Sequence, residues 1–221
     1  MKKLFFLICL SFISYLADAQ NVTRQVQNER QINRAVLRTH TAAAWGASPQ
    51  GYNAGAYMHK HFKRVFPDGL SIGGREKTVV FTNAQTLTAF LPAQGRFRVL
   101  NESLTDPQKR DMRNTFLSNV IALTLSVSFD EKIESFSPSN IDLGDMFVAR
   151  GKLIGISVAE ILEEANKTIA GFDSRFSYLE LSEALIKINE NYLDGEITGN
   201  YLVETLDGST LTEAKRSMLR R

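Results

Sequence analysis

Cysteine is almost absent from this 221-residue chain. The one thiol, Cys9, lies in the first apolar run and follows Ile8, where a lipid-anchoring signal requires a small residue. Without further cysteines there are no disulfides, thiolate metal sites or cysteine nucleophiles to invoke, and stability must come from a packed core. Histidine is scarce at three residues, tryptophan scarcer at one, and the net charge is only +2. A balance so near neutral lacks the concentrated positive field that nucleic acid or an anionic membrane calls for, so neither is expected as a partner. Only one long apolar run exists, Leu4 to Leu16, and it falls short of the roughly 20 residues a transmembrane helix needs.

That run sits between Lys2-Lys3 and the small-residue triplet Ala17-Asp18-Ala19, the three zones of a cleavable export signal. Residues 1–19 read as a signal peptide, and the polar stretch from Gln20 argues against an uncleaved anchor. Their removal leaves 202 residues with 24 basic and 23 acidic side chains, enough for one domain.

Residues 20–40 are rich in Gln, Asn and Arg and read as a polar lead-in, partly helical at its end, with Arg24, Arg30, Arg34 and Arg38 as a solvated stripe. Trp45 to Gly55 and Phe66 to Gly74 are punctuated by glycine and proline, which is turn chemistry. Between them a short helix is expected over Tyr57 to Val65. Trp45, Tyr52, Phe62 and Phe66 are large enough to demand burial. Lys77 to Phe81 is the clearest strand, with a partner expected near Leu70 to Ile72. Thr82 and Gln85 then read as a capping box opening a helix that runs to Pro92.

Asp106-Pro107 has the form of an N-cap and first helical position, opening the longest helix, which ends near Ser128. Its part from Leu117 to Val127 is apolar on nearly every side and is expected to be central. Two more helices carry complete signals: Ser157 with Glu160 and a stop at Gly171, and Ser177 with Glu180 and a stop before Gly195. Residues 41–195 therefore read as a mainly α, compact helical domain with a small two-stranded β element, and 196–221 as a peripheral tail.

Common catalytic signatures are missing. There is no GxSxG elbow, no phosphate-cradling glycine loop and no HExxH pair. His59 and His61, with His40 as a third nitrogen, are the best metal candidates. On a helix, however, two residues apart means some 200° apart, so no metal and no cofactor is expected. Asp130, Glu131, Asp142 and Asp145 are the acids a glycosidase could pair. Asn189 to Gly195 resembles a calcium loop but places Tyr192 where an oxygen ligand belongs.

The run Ala44 to Gly55, then Tyr57-Met58-His59 and Phe66 to Gly73, resembles the opening of a secreted domain of Bacteroidetes cell-surface proteins. Ala89 to Pro92, Asn119 to Asp130, Asn166 to Gly171 and Ile188 to Tyr192 extend the resemblance over about residues 39–195. It implies export and an envelope setting, periplasmic or envelope-associated, and no defined activity. Two functions follow. The first is a non-enzymatic module binding an envelope protein or glycan through its loop region, with Trp45, Tyr52, Asn53, Tyr57 and His59 as ligand contacts. The second is a glycan-directed or metal-assisted hydrolase using Asp142 and Asp145 or a histidine-bound ion.

Overall fold

Helix starts in this chain are fixed by short polar side chains that satisfy the first free amides. The structure, a computed structural model, describes residues 37–208 and Thr212. Thr41 caps α1 (Ala42–Trp45), Asn53 caps α2 (Ala54–Val65), and Asn83 caps α3 (Ala84–Phe90). Asn114 caps α4 (Thr115–Lys132), whereas Ser157 and Ser177 form full capping boxes with Glu160 and Glu180 on α5 (Val158–Ala170) and α6 (Tyr178–Asn189). These two boxes, and the left-handed Gly171 that ends α5, are as the sequence predicts.

α4 is the centre. Eleven of its 18 residues are buried, so its apolar surface has no single face and must be covered from several directions. α1, α2, α5 and α6 all pack against it. The segment β1 (Leu70–Gly73) pairs antiparallel with β2 (Thr78–Phe81), with Leu70 opposite Phe81, and β1 leans on α5. Alternation places Leu70, Ile72, Val79 and Phe81 in the core. The architecture is mainly α with small β elements. Among the described residues no helix is long and apolar enough to cross a membrane.

The structure departs from the sequence reading at several joints. The longest helix opens at Thr115, not at Asp106. Asp106 instead has φ +48°, and its carboxylate accepts from the Thr82 amide at 2.9 Å and the Thr82 hydroxyl at 2.7 Å. Thr82 is thereby taken from the expected capping box, and Asn83 caps in its place, accepting from Thr86 N at 3.0 Å. Asp106 also follows β3 (Leu104–Thr105), a third strand running parallel to β2, so the element near residues 70–81 has three strands. A second sheet joins β4 (Phe147–Val148) to β5 (Leu202–Val203). Tyr201 and Leu202 are buried there, so this part of the supposed tail belongs to the domain.

The end of the lead-in is likewise built in rather than helical. Thr39 bridges Leu193, donates its amide to Tyr192 O at 2.9 Å and accepts from Tyr192 N through its hydroxyl at 3.1 Å. Leu37, Thr39 and His40 are buried. Residues 1–36, with the signal peptide and Arg24, Arg30 and Arg34, and most of the chain beyond Gly208 lie outside the described residues.

Candidate functional site

The aromatic residues from the glycine-rich stretch part company in the structure. Trp45 ends α1 fully buried, 5.3 Å from the Phe129 ring of α4 and 6.1 Å from Phe136. Tyr57, on the first turns of α2, meets the same two rings at 5.6 and 5.3 Å. His40 adds an edge-on contact to Trp45 at 4.7 Å, and the Arg38 guanidinium lies over Phe136 at 5.9 Å. Trp45 is an anchor in the core and not a ligand contact.

Tyr52 does the opposite of what its size suggests and stands wholly exposed. Its turn is nevertheless held. Asn53 donates its side-chain amide to Ser48 O at 2.9 Å, and its carbonyl oxygen accepts from Gln50 N at 3.3 Å and from Ala56 N at 2.8 Å. Gly51 supplies a φ of +53°, and Gly55 lets Ala47 O approach to where a Cβ would lie 2.0 Å away. A single side chain thus caps α2 and clamps the turn presenting Tyr52. Asn53→Ala is expected to lower stability by about 1 kcal/mol, read as a small fall in the urea midpoint. A change below the error of that measurement would remove Asn53 as the clamp.

The three histidines go to three places. His59 pairs with the Thr88 hydroxyl at 2.8 Å, and His61 lies on the Tyr57 ring at 4.4 Å. His40 sits 3.1 Å from Asp194, where burial outweighs that carboxylate and takes its pKa down to about 4. Among the described residues no group of three His, Cys, Asp or Glu could hold a metal ion. In the calcium-like segment, Asn189 donates to Asn119 O at 3.0 Å and Asn191 accepts from Tyr201 N at 2.8 Å, so both amides are spent on the fold.

Where α4 ends, the chain doubles back and leaves an open cleft of about 820 Å³ lined by Arg64 and by residues of the 130–142 segment. Asp130 is at its base, more than nine-tenths buried, accepting from Leu143 N at 2.5 Å and from the Ser137 hydroxyl. Burial pushes the Asp130 carboxyl up; the two hydrogen bonds oppose this and neighbouring Asp142 adds to it. Ser137 is buried too and accepts from Arg38 N at 3.1 Å, while Ser135 reaches the Tyr57 phenol. Of the four acids picked from the sequence, Asp130, Glu131 and Asp142 line the cleft and Asp145 does not.

Sequence reasoning missed Arg64, Phe136 and the cleft wall from Ser135 to Asn140. The run Ser-Phe-Ser-Pro-Ser-Asn has the composition of an ordered loop and was the available signal. No protein-family model, curated protein or solved structure matches the chain.

Proposed function

We propose that this chain is an exported, envelope-associated module that recognises a glycan and performs no catalytic step. The observation that carries this is Tyr52, a fully exposed aromatic on a turn whose backbone is already fixed by Asn53. A rigid ring loses little conformational freedom on contact, which is why tyrosine serves so often at recognition surfaces. The chain from Thr41 to Met58 carries no charged residue, which suits a neutral partner such as an uncharged sugar ring stacking on the phenol. The export signal and the family resemblance supply the setting.

The test is retention on gels of immobilised neutral polysaccharide. Wild-type chain should be retarded, and Tyr52→Ala should bind about tenfold more weakly, a hot-spot effect, with unchanged thermal stability. Equal retention of both would sink the reading. Capture of an envelope protein that Tyr52→Ala abolishes, with no polysaccharide bound, would replace the glycan by a protein partner.

A glycan hydrolase is the second reading, and one observation favours it. Asp130 keeps its proton to a higher pH than an ordinary aspartate, as a general acid must, and a second carboxyl group, that of Asp142, lies in the same cleft. Release of reducing ends, lost in Asp130→Asn, would put hydrolysis in place of recognition.

A further inference from the structure

We propose that the cleft lined by Arg64 and residues 130–142 is a binding subsite for a neutral, polyhydroxylated ligand, a saccharide. This rests on the recognition reading and adds where the sugar is gripped. At about 820 Å³ the cleft is within the range of ligand sites, roughly 300–1,000 Å³. Its chemistry is unlike that of a site for an apolar molecule. The walls are polar throughout: they present the Asn140 amide, the carboxyl groups of four acidic residues and the Arg64 guanidinium, while the Ser135, Ser137 and Ser139 hydroxyls are bonded to Tyr57, Asp130 and Ile141 and hold the loop that carries them. An apolar occupant would strip water from these groups and return no hydrogen bonds.

The base of the cleft is already organised. Asp130 and Ser137 are more than nine-tenths buried and bound to each other and to backbone, so they hold their places before any ligand arrives. Above them, Arg64, Asn140, Glu134 and Asp142 are exposed, and among the described residues none of the three charged groups forms an ion pair within the chain. Planar carboxylate, amide and guanidinium groups each present two polar atoms side by side, the geometry that vicinal hydroxyls match as paired donors and acceptors.

Charge narrows the ligand further. Among the described residues that line the cleft, Glu131, Glu134 and Asp142 stand against Arg64 and Lys132, and the Lys132 ammonium already donates to Val65 O at 3.2 Å. An anionic sugar would meet this excess of carboxylate, and like charge disfavours it. A metal bridge is not offered by the described residues. What remains is an uncharged ligand rich in hydroxyls.

Isothermal titration of the purified chain with neutral hexasaccharides of glucose, mannose, xylose and N-acetylglucosamine, and with hexagalacturonate as the anionic arm, tests this. At least one neutral hexasaccharide should bind. The double variant Arg64→Ala/Asp142→Ala, both surface changes, should bind it at least tenfold more weakly with its melting temperature unchanged. Loss of binding in Tyr52→Ala with full binding in the double variant would overturn the cleft while leaving recognition standing. Binding of no neutral sugar would overturn both, and tighter binding of hexagalacturonate would overturn the charge argument and the proposal with it.

Discussion

Replacing Trp45 by alanine is expected to destabilise the chain by about 3–5 kcal/mol, the usual effect of emptying a buried aromatic site. The indole is fully buried and spans the rings of His40, just ahead of α1, and of Phe129 and Phe136, at and just past the end of α4. Phe136 and Tyr57 sit against the cleft wall, so the cavity would open at the joint that supports the site and could not close without moving α1 or the 133–142 segment. For a domain of this size the melting temperature should drop by about 10 °C. In urea the midpoint should fall while the slope is kept. Trp45→Phe, which refills most of the space, should lose less than half as much. A loss under about 1 kcal/mol in Trp45→Ala would mean that the tryptophan is not the anchor described, whereas Tyr52→Ala, seven residues away, should leave stability untouched.

Trp45 and Tyr52 show where a sequence stops being readable. Both are large aromatics in one glycine-rich stretch, and composition gives each the same claim to the core. What separates them is the turn clamped by Asn53, which turns Tyr52 outward, and the arrival of Phe129 and Phe136 from more than 80 positions later. Signals that close within four residues were legible. The boxes Ser157 with Glu160 and Ser177 with Glu180 need nothing from elsewhere, since a local hydroxyl and carboxylate satisfy local amides.

Asp106 has the same local credentials as a cap but opens no helix, because Thr82, 24 positions earlier, takes its carboxylate into a strand junction. The strand pair Leu70–Gly73 and Thr78–Phe81 was legible as a hairpin, but β3 and β5, two residues each, carry no pattern long enough to detect. The cleft lay beyond reach for a related reason. It joins Arg64 on α2 to a loop some 70 residues further on, and no spacing rule links the two.

Acid should weaken the fold over two ranges of pH, with His40 the largest contributor to the first and Glu164 to the second. His40 is neutral in its buried site, with a folded pKa of about 4 against 6.5 when exposed, so between these values the unfolded chain binds the extra proton. Its contribution is complete above pH 6.5 and is lost as pH falls toward 4, on the order of 3 kcal/mol in all.

Glu164 acts lower down. Burial alone would raise its pKa, but hydrogen bonds from Arg175 N at 2.9 Å, the Ser174 hydroxyl at 2.8 Å and Lys167 Nζ at 3.0 Å, with the Arg175 guanidinium beside it, outweigh burial and bring it to about 2. Stability from Glu164 is present above pH 4.5 and lost as pH falls through 2. Because Lys167 and Arg175 are about half exposed, solvent screening limits this to about 2 kcal/mol. Urea midpoints measured from pH 8 to pH 2 separate the two ranges. His40→Phe, which keeps a ring against Trp45, should flatten the slope between pH 6.5 and 4 and leave the lower one. Glu164→Gln should flatten only the lower slope. A wild-type slope between pH 6.5 and 4 in His40→Phe would mean that another group dominates the first range, and that the Thr39–Leu193 junction does not respond to acid through its buried imidazole.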